Sequence, residues 1–487
     1  MGAAWVFGID PEKNPLVPPT LPKGALVKTD WDNSISWEAM GSIDSAASSP
    51  RLSDADRDES ASLLKLSWGL FKERQSAAQA RAYALVGGDA DADESIWNEI
   101  SKLKSKRFPG LDGLNERQRL LLRYAWAAET EHDYAAPLES LSMRWWDADS
   151  TQADEQHLWR DGYKTIAERW ASGLTDVRLG ERVQGIVVHS GDDGGTGGGG
   201  GGGGGGASPA HVEATLAHRV EVQLNSGEVL RADACVITLP LGVLKLGAVT
   251  FSPALPDDKL AAIGRLGVGL LNKVVLRFET CFWAAADASA AEPHVLVRVP
   301  TAAARCLPAA METPMILNLR PVTGANVLVA YFNCEVARHL EAQSDQALQA
   351  HVVALLGSMF GEEAVRAANV LECLVSRWAS DELASGSYSY VAVGASPADR
   401  ALLARAEGPL LFAGEATSHG GGKLCEGGYP ATVYGAYLSG LRASAEAANL
   451  LGLGATGAKA ARRRGRRGGT ARAKAGQAVD PVDRRGR

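Results

Sequence analysis

Cysteine is scarce in this 487-residue chain and never clustered: Cys235, Cys281, Cys306, Cys334, Cys373 and Cys425 form no C-x-x-C pair. That spacing argues against a zinc site or a disulfide framework and fits a reducing compartment. Long apolar runs are missing as well. No stretch approaches the roughly 18 apolar residues of a membrane-spanning helix, and the first residues lack the basic-then-apolar order of a secretory signal. The chain therefore reads as soluble, intracellular and cytoplasmic, without a membrane partner. A metal loop is lacking too. Asp89-x-Asp91-x-Asp93 starts like a calcium loop, but Glu94 stands where the sharp turn needs glycine and Ile100 takes the twelfth position, so it reads as an acidic loop and no metal is expected.

What is present suffices for two domains with real cores, since 46% of the residues are hydrophobic. Charge is uneven. From Lys459 onward eleven Lys/Arg face only Asp480 and Asp483, a net +9 that leaves −16 on the preceding residues of a chain whose total is −7. An acidic body suits a cationic substrate. The basic, glycine-rich tail, 453–487, is expected to be disordered and to make at most weak nucleic-acid or nuclear-import contacts. Residues 191–207 are a glycine-dominated loop with no means of burying a core.

The chain is organised around Gly408–Leu451. Leu410-Leu411-Phe412-Ala413 has the length of a buried strand and runs into Gly414-Glu415, where the missing Cβ lets a large group approach the backbone. After a glycine-rich loop, Tyr429-Pro430-Ala431-Thr432 is expected to open a helix, with Pro430 in its first turn. Small residues at Gly435, Ala436, Ser439, Gly440 and Ala443 let one helix face lie against a sheet or a flat ring. A helix start favours negative charge, as a reduced flavin carries at N1/C2, and Glu415 can accept hydrogen bonds from a polyol such as the ribityl chain.

These residues reach a known pattern. LFAGEAT followed by YPATVYGAYLSGLRASAEAA resembles the C-terminal flavin segment of the flavin-containing amine oxidases, nearest the polyamine oxidases and the related lysine-specific histone demethylases. Further segments in register resemble the same family: LSMRWWDAD, TLPLGVL, LNKVVLRF and WASDELASGSYSY. The resemblance covers roughly residues 1–16 and 115–450. It implies a fold of mixed α/β and α+β type, the two-domain flavin amine oxidase fold. The FAD-binding Rossmann-like domain would be discontinuous, from 1–20, 155–250 and 405–452, and the substrate-binding domain would come from 21–154 and 251–404.

The resemblance also implies site residues. Met1-Gly-Ala-Ala-Trp-Val-Phe resembles the family's G-A-x-W-[IV] segment beside the flavin, which makes Gly2, Ala3, Ala4 and Trp5 cofactor contacts. Phe7 stands where many polyamine oxidases place a histidine or acid to meet substrate nitrogen. Val183 corresponds to a backbone contact to adenine, and Thr238 and Pro240 to a flavin-contacting turn. Gly414, Glu415, Ala431, Thr432 and Val433 complete the cofactor set. Lys273 corresponds to the lysine that holds a water over flavin N5 and assists reoxidation by O2. Trp378 and Tyr388 correspond to an aromatic cage flanking the flavin, which would attract a cationic amine and tolerate it once uncharged. Asp147 and Asp149 belong to a carboxylate cluster near the expected substrate channel.

One family feature is not found. The strand, G-x-G-x-x-G turn and helix that hold the ADP half of FAD are not in the sequence, and the literal match at Gly452–Gly457 follows a helix and reads as its stop. A chain starting at Met1 is therefore expected to be an incomplete form, and the eleven-residue Ser418–Gly428 segment, longer than in relatives, points the same way. The implied reaction is oxidation of a polyamine by hydride transfer to flavin N5. It yields an imine that hydrolyses to an aldehyde and a smaller amine, while O2 regenerates the flavin and gives H2O2. A demethylase-type enzyme would carry a long paired-helix insertion or a chromatin-binding domain, and a non-catalytic binding protein would purify colourless.

Overall fold

A computed structural model describes residues 5–7, 16, 25–28, 34–38, 53–84, 93–148, 156–189, 219–284, 293, 295–299, 315–419 and 428–453. The glycine-rich loop at 191–207, the tail beyond 453, and the candidate residues Gly2, Ala3, Ala4 and Asp149 lie outside the described residues.

The largest sheet has six strands. Leu271–Phe278 lies second from one edge, pairing antiparallel with Val327–Asn333 on the inner side and with the edge strand Val370–Val375 on the other. The order continues through Met315–Asn318 and Val295–Val299 to Ser34–Glu38, which joins in parallel at the edge. On one face Val274, Leu276, Phe278, Leu328, Ala330 and Phe332 bury against the helices Cys334–Glu341 and Asp345–Phe360. Ser344 starts the second of these by accepting the Ala347 N–H at 3.2 Å. On the other face Leu271, Val275, Val329 and Tyr331 pack with Leu158 and Leu317. Two buried faces explain why this strand reads as a nearly continuous apolar run.

A helical layer holds a second core. The 31-residue helix Asp54–Ala84 packs against Glu116–Trp126, which opens with an Asn115–Gln118 capping box. Trp126, Phe71, Phe108, Ile96, Ile100 and Leu103 are buried between them and the helix Ile96–Lys102. Glu116–Trp126 then widens into a π-helical turn, Ala127–Glu131, and ends through His132–Tyr134. Turns of that kind frequently mark functional sites.

The third core lies under a four-stranded sheet, ordered Val229–Ala232, Val220–Leu224, Val183–Val188, Thr250–Ser252, and a parallel pair, Cys235–Ile237 beside Leu410–Phe412. The helix Val433–Leu450 covers the parallel pair, with Ala443 fully buried among Leu411 and Ala413. A three-stranded antiparallel sheet joins Trp5–Phe7, Gln156–Trp159 and Leu26–Lys28. No helix among the described residues is long and apolar enough to cross a membrane.

The region 20–150 is not helical throughout: it also supplies the strands Leu26–Lys28 and Ser34–Glu38, whose partners lie far along the chain. In VRLGERVQGIVV only Val183–Val188 forms a strand. The first half of that segment makes no strand pairing and leaves Val177 and Leu179 exposed, at 51% and 89%, so the pleated, half-buried surface that β-branched residues favour is missing there. The C-terminal helix begins at Val433, and Pro430 precedes its N-cap Thr432, because Ala431 takes a left-handed φ of 59° that no helix continues through.

Candidate functional site

The site is assembled where the three cores meet. Leu410–Phe412 and Cys235–Ile237 run parallel, and the Ala413 N–H donates to the Ile237 carbonyl at 2.9 Å, so Gly414-Glu415 and Thr238–Pro240 leave the sheet at the same end. Ligands of parallel α/β sheets bind outside the strands' carboxyl ends. Gly414 has φ 118°, and a Cβ built on it would project into open space, which leaves room for a flat group against the backbone. Thr238 and Pro240 are exposed, while Glu415, Ala431, Thr432 and Val433 are half-buried. Thr432 caps the last helix by accepting the Gly435 N–H at 2.9 Å. Gly435 is obligatory there, since a Cβ would fall 1.7 Å from the Tyr429 carbonyl oxygen.

Glu415 ties this cradle to the aromatic strand. Its carboxylate accepts the Ser389 N–H at 3.1 Å, the Ser389 hydroxyl at 2.7 Å and the Ala431 N–H at 2.6 Å. Ser389 is the middle residue of Tyr388–Tyr390, so strand alternation turns Tyr388 and Tyr390 to the face opposite Glu415. That strand pairs with Gly267–Gly269, and its glycines are needed: a Cβ on Gly267 would lie 2.2 Å from the Tyr390 ring.

Lys273 lies on Leu271–Phe278, one strand in from the edge of the six-stranded sheet, 9% exposed, in register with Tyr331, whose ring centroid is 5.4 Å from its Nζ. Burial lowers the Lys273 ammonium from 10.5 to about 8. A polar knot joins this lysine to Trp378. The Lys273 N–H donates to Ser376 Oγ at 2.8 Å, Ser376 Oγ donates to Asn272 Oδ1 at 3.2 Å, and the Trp378 N–H donates to the same Asn272 oxygen at 3.1 Å. Glu341 braces the knot by accepting from Asn272 Nδ2 and from the N–H groups of Ala379 and Ser380.

Tyr388 is the meeting point. Burial pushes its phenol well above the usual range, and the charges of Asp133, Cys334, Tyr331 and Glu415 push it further. Its hydroxyl donates to the His132 carbonyl at 3.3 Å. The residues around it that the sequence did not single out are instructive. Burial lowers the His132 imidazole to about 4, so it is neutral at pH 7, and its Nδ1 has no hydrogen-bond partner. Burial raises the Glu131 carboxyl against the pull of Arg123, which lies 2.7 Å away. Burial likewise raises the Cys334 thiol, on a backbone at φ 55°. Register with Lys273 marks Tyr331, but only once the strand pairing is known. The π-helical turn that presents Glu131 and His132 has no local sequence signal.

The remaining candidates fall elsewhere. Trp5 and Phe7 lie on the Trp5–Phe7 strand, in register with Leu158 and Gln156, and their side chains are not among those described. Val183 starts its strand, half-buried. Asp147 is committed to its own chain: it pairs with Lys72 and accepts from Gln75 Nε2 at 2.6 Å. The Lys72 ammonium also lies 5.3 Å and 5.0 Å from the Trp68 and Trp146 ring centroids, so this box is filled by an internal cation.

A cradle at the carboxyl ends of parallel strands, tied through Glu415 to the Tyr388–Tyr390 strand, has the form of a cofactor site in an oxidoreductase of mixed α/β fold. The family model for flavin-containing amine oxidoreductase matches residues 58–448. Polyamine oxidase 2 of Arabidopsis thaliana is 32% identical over 91% of this chain and 77% of its own length. Polyamine oxidase 4 of Oryza sativa is 30% identical over 92% and 78%. Histone demethylase-like protein A of Aspergillus fumigatus is 34% identical over 76% of this chain but 33% of its own length. Among solved structures, a redesigned putrescine oxidase superposes with a TM-score of 0.56 at 16% identity, covering 88% of this chain and 82% of that one. Cyclohexylamine oxidase from Brevibacterium oxydans gives 0.51 at 18%, covering 78% and 75%. The chain belongs to the flavin-containing amine oxidoreductase family, and its cofactor is FAD.

Proposed function

We propose that this chain oxidises polyamines such as spermine, spermidine or their acetylated forms, giving an aldehyde, a smaller amine and H2O2. The observation that carries the reading is Lys273, a desolvated ammonium near the Tyr331 ring, whose backbone N–H is tied through Ser376 and Asn272 to the backbone N–H of Trp378. Bound FAD supplies a hydride acceptor that O2 can regenerate. The protein residues orient and desolvate. Gly414 and the start of the Val433–Leu450 helix would take the ring end, and Glu415 fixes the loop through Ala431. Tyr388 and Trp378 would hold the alkyl chain, and a neutral His132 adds no positive charge against an incoming amine. A site of raised phenols and neutral imidazole favours the uncharged amine, the form that can give up hydride. The balance of −16 over residues 1–458 supports a polycationic substrate arriving from solution.

The choice of polyamines over methylated histone lysine rests on length: the two polyamine oxidases align over most of both chains, the demethylase-like protein over a third of its own. The test is peroxidase-coupled H2O2 production with spermine, spermidine and N-acetylated spermine, against a dimethyl-lysine histone peptide and a simple monoamine. Turnover of the polyamines alone is expected. Turnover of the peptide alone would transfer the chain to the demethylase type. A purified protein that is colourless and oxidises no amine would leave only a binding role.

A further inference from the structure

Arg400 is 2% exposed on the helix Pro397–Ala404, and nothing in the reaction uses it. Its Nη1 donates to Ser389 Oγ at 2.6 Å and reaches the Ala416 carbonyl at 3.4 Å, whereas Nε and Nη2 have no hydrogen-bond partner. A guanidinium cannot shed its charge to escape burial, so its placement must be offset by nearby negative charge. The carboxylate it is bonded toward is Glu415, one hydroxyl away: Ser389 Oγ accepts from Arg400 and donates to Glu415 Oε2 at 2.7 Å. That same Oε2 accepts the Ala431 N–H, the residue whose left-handed φ of 59° sets the turn before the N-cap Thr432.

We propose that Arg400 is a positioning residue for the cofactor cradle, acting through Ser389 on Glu415 and thereby on the Ala431–Val433 turn. The proposal rests on the reading of Gly414–Val433 as the FAD cradle. The guanidinium polarises the serine hydroxyl, and hydrogen bonds in series between a cation and an anion reinforce each other. With the cation removed, the Ser389 hydroxyl is free to rotate, and Glu415 loses the bond that holds Oε2 toward Ala431. The arrangement is specific. Ser389 is itself 1% exposed, so no water-filled space stands ready to replace the relay.

The experiment is a double-mutant cycle on FAD affinity, measured by flavin fluorescence titration of the FAD-depleted protein. Arg400→Leu is expected to weaken FAD about 10-fold, a cost of about 1.4 kcal/mol, and Glu415→Gln at least as much. The double variant should bind no more weakly than Glu415→Gln alone, with the KM for the amine unchanged throughout. Arg400→Lys should recover part of the affinity by restoring the cation. Should Arg400→Leu not fold, Ser389→Ala cuts the relay with the guanidinium in place, and the same non-additivity with Glu415→Gln is expected. Additive losses, where each variant weakens FAD independently, would reduce Arg400 to a packing residue and overturn the relay. Failure of the unaltered protein to bind FAD saturably would overturn the cradle reading and the relay together.

Discussion

Replacing Lys273 by methionine separates two consequences of one buried charge. The folded ammonium releases its proton at about 8, against 10.5 for an exposed lysine. Between those values the unfolded chain binds more protons than the folded one, so wild-type stability rises with pH from about 8 to 10.5 and carries the full penalty below 8. At roughly 1.36 kcal/mol per pH unit the penalty is on the order of 3 kcal/mol. The Tyr331 ring returns about 0.5–2 kcal/mol as a cation–π contact. Desolvation therefore wins, and Lys273→Met is expected to be more stable than wild type at pH 7 by about 1–3 kcal/mol, an advantage that vanishes by pH 10.5. On the proposed reading, in which the Lys273 charge serves the flavin ring, the same variant should slow flavin reoxidation by O2 far more than anaerobic reduction or FAD binding. Denaturant unfolding at pH 7 and 10.5 reads the first effect, and stopped-flow reoxidation the second. An equal stability difference at both pH values would refute the desolvation argument. Unchanged reduction and reoxidation rates would leave Lys273 a structural residue.

Lys259 is fully buried and donates to the carbonyls of Leu402, Leu403 and Arg405 at 2.7–2.9 Å, closing the helix Pro397–Ala404. Lys259→Met leaves those acceptors short of a donor and should cost about 2–4 kcal/mol in chemical denaturation; a loss under 0.5 kcal/mol would mean that water replaces the ammonium. Gly435→Ala must push the Tyr429 carbonyl aside, so we expect loss of bound flavin with secondary structure kept, visible as a colourless protein with an unchanged far-ultraviolet circular dichroism spectrum. Trp170, Leu174, Val177 and Leu179 expose 42%, 66%, 51% and 89% of their surface in one contiguous segment. Such a patch promotes self-association, and Leu174→Lys with Leu179→Lys should raise the monomer fraction in light scattering; an unchanged fraction would show that the patch is not what associates.

The parts legible in the sequence are those whose physics is local. Leu410–Phe412 announces a buried strand by its apolar run, Gly414 an approach to backbone by its missing Cβ, and the Leu271–Phe278 strand its place by two apolar faces around one lysine. The family resemblance, resting on contiguous motifs, is likewise visible without a fold. Helix limits were less so: the Val433–Leu450 helix starts after Ala431 because of a backbone angle that no residue type at 429–432 demands. What only tertiary structure decides is which side chains share a space. Tyr331 reaches Lys273 through strand register, and His132, just after the π-helical turn, reaches Tyr388 from more than 250 residues away in sequence. Asp147 illustrates the converse, since its carboxylate, counted toward a substrate channel, is taken by Lys72 from the helix Asp54–Ala84. Burial and pairing depend on contacts between distant segments, and sequence pattern encodes the face a residue occupies but not the partner it meets there.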